Sequence, residues 1–205
     1  MLIIQHRRNS IDLLKNTDTR FGVEIDIRSW KDKLIINHDP FKRGIELVKW
    51  LEFYNHRILV LNIKEEGLEK KVIELMNKFK ISNFFFLDQS MPFLINTCKS
   101  GESRSSIRVS NYEIIENVHN FEGKIDWVWI DIFESIPLKK SDFINLNKLG
   151  FKTCLVSPEL QGHGQSMLQI VQDFLKKENI YLDAVCTKYP EKWVKNLSDN
   201  LLMNR

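Results

Sequence analysis

Four short groups of polar residues, each at or near the end of an apolar run, have the types and spacing for chemistry. Gln5-His6-Arg7 follows Leu2-Ile3-Ile4. Glu24 and Asp26 are two apart in GVEIDI, so in a strand both carboxylates leave one face while Ile25 and Ile27 point the other way. Asn37-His38-Asp39-Pro40 closes a third run, and Asn62 and Lys64 share a face at the end of a fourth. Two carboxylates turned into a sheet interior repel each other and lose hydration. A divalent cation or a strongly basic partner is the usual remedy. Ion pairs with Lys64 and Arg28 would be the metal-free version. Taken alone, His6 reads as a strand-end histidine with a structural hydrogen bond, and His38-Asp39-Pro40 as a turn.

The runs that carry these residues belong to a longer alternation. β-Branched or aromatic segments at 2–5, 22–27, 58–63, 84–87, 106–110, 126–131, 152–157 and 183–187 predict strands. Between them, 9–16, 44–55, 68–79, 90–99, 111–118, 139–149 and 165–178 have helical spacing, as does 190–202 at the end. The clearest helix puts Leu68, Val72, Ile73, Leu75, Met76 and Phe79 on one face and Glu69, Lys70, Lys71, Glu74 and Lys78 opposite. Asn9-Ser10 and Ser141-Asp142 are plausible N-caps. Strands apolar at most positions, each followed by a helix, imply a parallel sheet covered on both faces. Eight such units in 205 residues predict one domain, 1–205, of the α/β class: a closed (β/α)₈ TIM barrel near its lower size limit. An open doubly wound sheet is the structural alternative. Residues 33–37 follow the second strand after five residues, too few for a crossover helix, and predict a local hairpin.

Composition removes other classes. Forty-three per cent hydrophobic residues exclude a disordered chain. A net charge of +3, with basic residues scattered among acids, gives no nucleic-acid stripe. Cys98, Cys154 and Cys186 have no metal-ligand spacing, and their odd number points to reduced thiols in a cytoplasmic protein. No apolar run approaches the ~20 residues of a membrane span.

The run VEIDIRSWKDKLIINHDPF, preceded by His6-Arg7, resembles the glycerophosphodiester phosphodiesterase family: an early HR, then E-x-D, then a short hairpin ending in HD. The wider phospholipase C-like group shares the TIM-barrel fold, in agreement with the strand count. The resemblance implies that His6 and His38 are general acid and base and that Glu24 and Asp26 bind a divalent cation. Asn62 takes the place of the third metal ligand. Lys64 and Arg7 contact the substrate phosphate. Thr187-Lys188-Tyr189-Pro190 is similar to the family's closing T-D-x-P, with Lys188 as a further phosphate-binding candidate in the place of the acid.

Three departures shape the expectation. Asn62 brings an amide oxygen but no charge, so a magnesium or calcium ion should bind weakly without substrate. Only about 25 residues separate His38 from Lys64, where the family carries a larger cap insertion, so the site should be open and suit a phosphodiester with at least one bulky group. The glycine that usually follows HR is Arg8. The implied activity is metal-assisted phosphodiester hydrolysis, possible through a cyclic phosphate. The alternatives are a non-catalytic phosphate- or glycan-binding barrel and a metal-free cyclising lyase.

Other residues carry less. Arg108 and Asp131 lie on strands from which they can face a site. Trp127, Trp129 and Trp193 read as core aromatics, and His163 in GHG as a loop residue. Ser157 lacks a nucleophile elbow, and His56 and His119 read as surface histidines. The sequence leaves the oligomeric state open.

Overall fold

A computed structural model describes residues 1–194. Among them the chain runs β1 (Leu2–Gln5), α1 (Ile11–Lys15), β2 (Gly22–Trp30), β3 (Lys33–Ile36), β4 (Ile45–Glu46), α2 (Leu47–Leu51), β5 (Leu59–Ile63), α3 (Glu69–Lys78), β6 (Phe84–Leu87), α4 (Met91–Lys99), β7 (Ser106–Val109), α5 (Glu116–His119), β8 (Trp127–Ile130), α6 (Lys140–Lys148), β9 (Lys152–Val156), a 3₁₀ turn (Pro158–Gln161), α7 (Gln165–Lys177) and β10 (Ala184–Thr187). Each of the eight expected strands is present, with the additional hairpin strand as β3. The helix expected over 44–55 is divided into β4 and α2, and the one over 111–118 shrinks to α5. The segment expected as a helix over 190–202 is helical at 190–194 and then passes outside the described residues.

The chain forms two compact units: residues 6–106, and residues 1–5 with those from 107 onward. In the unit of residues 6–106, β2 pairs in parallel with β5, which places Asp26 directly opposite Asn62. β5 pairs in parallel with β6. The second half of β2 turns into an antiparallel pairing with β3, and β3 pairs with β4. The odd-numbered residues Ile25, Ile27, Leu59, Leu61 and Ile63 join Leu14 of α1, Trp50 of α2 and Val72 and Met76 of α3 in one buried cluster. That burial fixes the face of β2: with its isoleucines against the helices, Glu24 and Asp26 must turn the other way.

Local chemistry sets the ends of the elements. Ser10 caps α1, its Oγ accepting from the Leu13 N–H at 3.1 Å. Gly44 is required by a close approach, since a Cβ there would lie 2.1 Å from the Ile36 carbonyl oxygen. Glu69, expected on the polar face of α3, is buried and accepts from Gln89 Nε2 at 3.3 Å. At the β6 edge the pairing is a single parallel bridge, Phe86 to Ser105.

In the other unit β1, β10, β9 and β8 pair in parallel in that order, with β7 beyond β8. Trp127, Trp129 and Trp193 are buried, as expected of core aromatics. The N-cap of α6 is Lys139 rather than Ser141; Asp142 reaches back to accept from the Lys139 N–H at 2.8 Å. Among the described residues no helix is long and apolar enough to cross a membrane, and none of the three cysteines is in a disulfide.

Candidate active site

The carboxylates of Glu24 and Asp26 are fully buried on the face of β2 opposite the helices. Their register with β5 brings Asn62 alongside, and its Nδ2 donates to Glu24 Oε1 at 3.0 Å. The turn after β1 supplies the next layer. The Arg7 N–H donates to Glu24 Oε2 at 2.7 Å, with Arg7 in the left-handed region at φ 51°. His6 Nε2 lies 3.8 Å from the same oxygen. Arg7 Nε is 3.7 Å from Asp26 Oδ2, and its side chain is 44% exposed. Six of the predicted residues, His6, Arg7, Glu24, Asp26, Asn62 and Lys64, thus form one contact network.

Burial sets the electrostatics. Loss of hydration, and then the Asp26 charge, push the Glu24 carboxyl above its usual range, against the opposing pull of the Arg7 N–H, Asn62 and Lys64. Lys64 Nζ lies 3.6 Å from Asp26 Oδ1 and 3.3 Å from Asp88 Oδ2. Even so, two oxygens inside the cluster, Asp26 Oδ1 and Asn62 Oδ1, are buried without a hydrogen-bond donor. Such atoms are costly in a finished interior. Hard oxygen donors of this kind suit magnesium or calcium, so Glu24, Asp26 and Asn62 fit a cation. Among the described residues no three His, Cys, Asp or Glu side chains converge on a metal position. Arg28, considered as a partner for the acids, goes elsewhere: it pairs with Glu65 at 3.6 Å and donates to the His38 and Lys64 carbonyls.

His38 is held beside this cluster by backbone. The preceding Asn37 N–H donates to the Asp26 carbonyl at 3.1 Å. Arg28 Nε and Nη2 donate to His38 O at 3.1 and 3.0 Å, while its Nη1 donates to Lys64 O at 3.2 Å, lashing the hairpin to the end of β5. The His38 ring is 44% exposed, with Nδ1 3.0 Å from Asp39 Oδ1. Lys42, and then His38, hold the Asp39 carboxyl down at about 2. An ionised Asp39 makes Nδ1 the donor and leaves Nε2 to act on a ligand. A cavity of about 410 Å³ opens beside this ring, lined by Asn9, Ser10, Asn37, His38 and Asp39 among others.

Two residues of the network were missed by the sequence reading. Asn9 clamps Asp26 from both sides, donating from Nδ2 to Oδ2 at 2.7 Å and accepting the Asp26 N–H at 3.0 Å. It was read only as part of a helix cap. Asp88 stands immediately after β6 in the left-handed region, φ 61°. Its place after FFFL was the available signal, the same strand-end rule that drew attention to Asp131.

In the other unit Lys188 is exposed after β10, its N–H donating to Glu159 Oε1 at 3.0 Å. Arg108 Nη1 and Asp131 Oδ2 meet at 3.1 Å. His163 is pinned rather than loose, its Nε2 3.0 Å from the carbonyls of Ile132 and Phe133. Ser157 is buried and accepts from Trp193 Nε1 at 2.9 Å. His119 is exposed as expected. His56, expected on the surface, is buried against the Thr17 carbonyl at 3.1 Å, and that burial lowers its pKa.

No protein-family model matches the chain, and no curated protein matches it significantly. Solved structures do. One from Galdieria sulphuraria, described as a glycerophosphodiester phosphodiesterase, superposes with a TM-score of 0.72 at 15% identity, covering 96% of this chain and 97% of the other. The glycerophosphodiester phosphodiesterase from Agrobacterium tumefaciens gives 0.65 at 13% identity over 96% and 99%. A glycerophosphoryl diester phosphodiesterase from Parabacteroides distasonis gives 0.67 at 13% over 97% and 86%. The likeness is one of fold: the α/β architecture of the TIM-barrel type. Between His38 and Lys64 this chain holds only β4, α2 and the start of β5.

Proposed function

We propose that the chain is a phosphodiesterase whose centre is the Glu24, Asp26 and Asn62 cluster. The observation that carries this reading is the pair of buried, undonated oxygens, Asp26 Oδ1 and Asn62 Oδ1, beside a carboxylate whose pKa is raised by burial. A magnesium or calcium ion bound there would neutralise the phosphodiester and polarise the P–O bonds. Glu24, Asp26 and Asn62 are its ligands in this reading, and weak affinity in the absence of substrate follows from the neutral amide. Arg7 and Lys64 bind the non-bridging phosphate oxygens. One of His6 and His38 takes the proton of the attacking hydroxyl or water, and the other protonates the leaving oxygen. Where the substrate carries a hydroxyl next to the ester, that hydroxyl can attack and a cyclic phosphate is the first product. The short His38–Lys64 connection supports a substrate with a bulky group on one side of the phosphate. Three cysteines kept as thiols support a cytoplasmic setting.

The metal-free lyase has one observation in its favour: Lys64 Nζ already faces Asp26 Oδ1. A generic chromogenic phosphodiester separates the readings. Turnover stopped by a chelator and restored by magnesium or calcium supports the metal-assisted enzyme, and chelator-resistant turnover supports the lyase. No cleavage of this or bulkier diesters, with phosphate still bound, supports the binding module. Glycerophosphocholine should be a poorer substrate than bulky diesters; a higher kcat/KM for it would refute the open-site reading.

A further inference from the structure

We infer that Asp88 supplies the negative charge that Asn62 lacks, and so holds the same cation through one of its bound waters. This rests on the metal-assisted reading above and adds a residue to it. A single ammonium, Lys64 Nζ, lies 3.3 Å from Asp88 Oδ2 and 3.6 Å from Asp26 Oδ1, so the two carboxylates converge on one small positive group. Both strand ends that bear them are adjacent, since β5 pairs with β2 on one side and β6 on the other. The oxygens Asp26 Oδ1 and Asn62 Oδ1 are buried without a donor in that cluster. An ammonium at these distances satisfies Asp26 Oδ1 by charge but not by a hydrogen bond, as a placeholder would.

Asp88 sits at φ 61° immediately after β6, in the left-handed region that aspartate adopts more readily than most side chains. Its side chain is only 23% exposed, and Lys64 only 19%. In the resting protein Lys64 therefore occupies the space between Asp26 and Asp88. When a phosphodiester and a cation arrive together, the ammonium moves to the phosphate and the cation takes the carboxylates. Relocating one acid from β5 to β6 keeps three carboxylates in the cluster, while making cation affinity depend on where Lys64 is. That coupling accounts for a centre that binds its ion weakly until substrate draws the lysine away.

The test is calorimetric titration with magnesium, calcium and manganese, with and without a non-hydrolysable phosphodiester analogue, supported by manganese electron paramagnetic resonance. Asp88→Asn suits the position because asparagine tolerates the left-handed region as well as aspartate does. It should weaken cation binding about tenfold or more, in keeping with the loss of one charge held through water. Asn62→Asp added to Asp88→Asn should restore most of that loss, because the carboxylate returns on β5. Lys64→Met should tighten binding without the analogue and abolish the analogue's enhancement. If wild type binds a cation and Asp88→Asn binds it equally well, Asp88 does not hold the ion and this inference alone fails. If the double variant binds no better than Asp88→Asn, the exchange of carboxylates is wrong. If wild type binds no cation under any condition, the metal-assisted reading fails and takes this inference with it. Circular dichroism melts of each variant separate loss of that contact from loss of the fold.

Discussion

Acids stand near strand ends in both units of this chain, Glu159 in one and Glu24 with Asp26 in the other, and they are finished differently. In the unit of residues 1–5 and 107 onward, Glu159 accepts from the Ser157 hydroxyl, the Thr187 hydroxyl and the Lys188 N–H, while Ser157 in turn accepts from Trp193 Nε1. Each oxygen of Glu159 has a donor. In the unit of residues 6–106, Glu24 and Asp26 are more deeply buried, yet Asp26 Oδ1 and the neighbouring Asn62 Oδ1 have none. A buried acceptor without a donor costs about 1–3 kcal/mol. The first cluster has every acceptor served, whereas the second keeps two oxygens without a donor, Asp26 Oδ1 and Asn62 Oδ1. What separates the two clusters is unmet hydrogen-bonding demand, not the number of acids.

The sharpest way to break that comparison is to remove the groups that would use the second cluster. His6→Ala and His38→Ala should each lower turnover of a confirmed diester by roughly 10²–10⁴-fold, the usual scale of acid and base catalysis. His38 is 44% exposed and buries little apolar surface, so its loss should leave the melting temperature nearly unchanged. Rates within a few-fold of wild type in both variants would remove the two-histidine mechanism.

The next effect is a pH dependence. Burial and Asp26 raise the Glu24 pKa, so the folded protein holds a proton there that the unfolded chain has released. The sign follows: this group's contribution to stability is full below the ordinary glutamate range and is lost as pH rises through the raised value. A cation reverses the cost by competing with that proton. Its apparent affinity should fall about tenfold per pH unit once Glu24 is protonated. Thermal shifts with magnesium or calcium, measured from pH 5 to 8, should therefore grow with pH. Shifts that do not change over that range would show that Glu24 is not displaced by the ion.

Asn62→Asp should have a smaller effect, tightening cation binding by about tenfold while lowering the melting temperature of the metal-free protein. A third carboxylate beside Glu24 and Asp26 adds repulsion where hydration is already lost. Unchanged affinity for both ions would exclude residue 62 from the ligands.

Much of this arrangement was legible from local pattern. The eight strands were visible because parallel strands buried on both faces are apolar runs bounded by polar residues. The shared face of Glu24 and Asp26 follows from a period of two. His56 shows where pattern fails: a polar residue in a short connection reads as exposed, and only the packing against Thr17 buries it. Asn9 and Asp88 were missed because each acts through one long-range partner, Asp26 and Lys64, which neither spacing nor composition reveals. The single bridge at the β6 edge is likewise a property of strand registration and not of any single segment.

The smallest expected effect tests the finished cluster. Glu159→Gln keeps the shape but replaces one accepting oxygen by an amide that donates, so at least one of the Ser157, Thr187 and Lys188 donors loses its partner. The expected cost is about 1–3 kcal/mol. For a chain of this length that lowers the melting temperature by roughly 2–4 °C per kcal/mol. Cation affinity, read by the same titrations, should stay within about twofold of wild type, because a cluster whose acceptors are all served offers an ion no unmet oxygen. A loss of cation binding in Glu159→Gln comparable to that in Asp88→Asn would mean that the two clusters are not energetically separate. Hydrogen-bond satisfaction would then be the wrong criterion for telling scaffold from site.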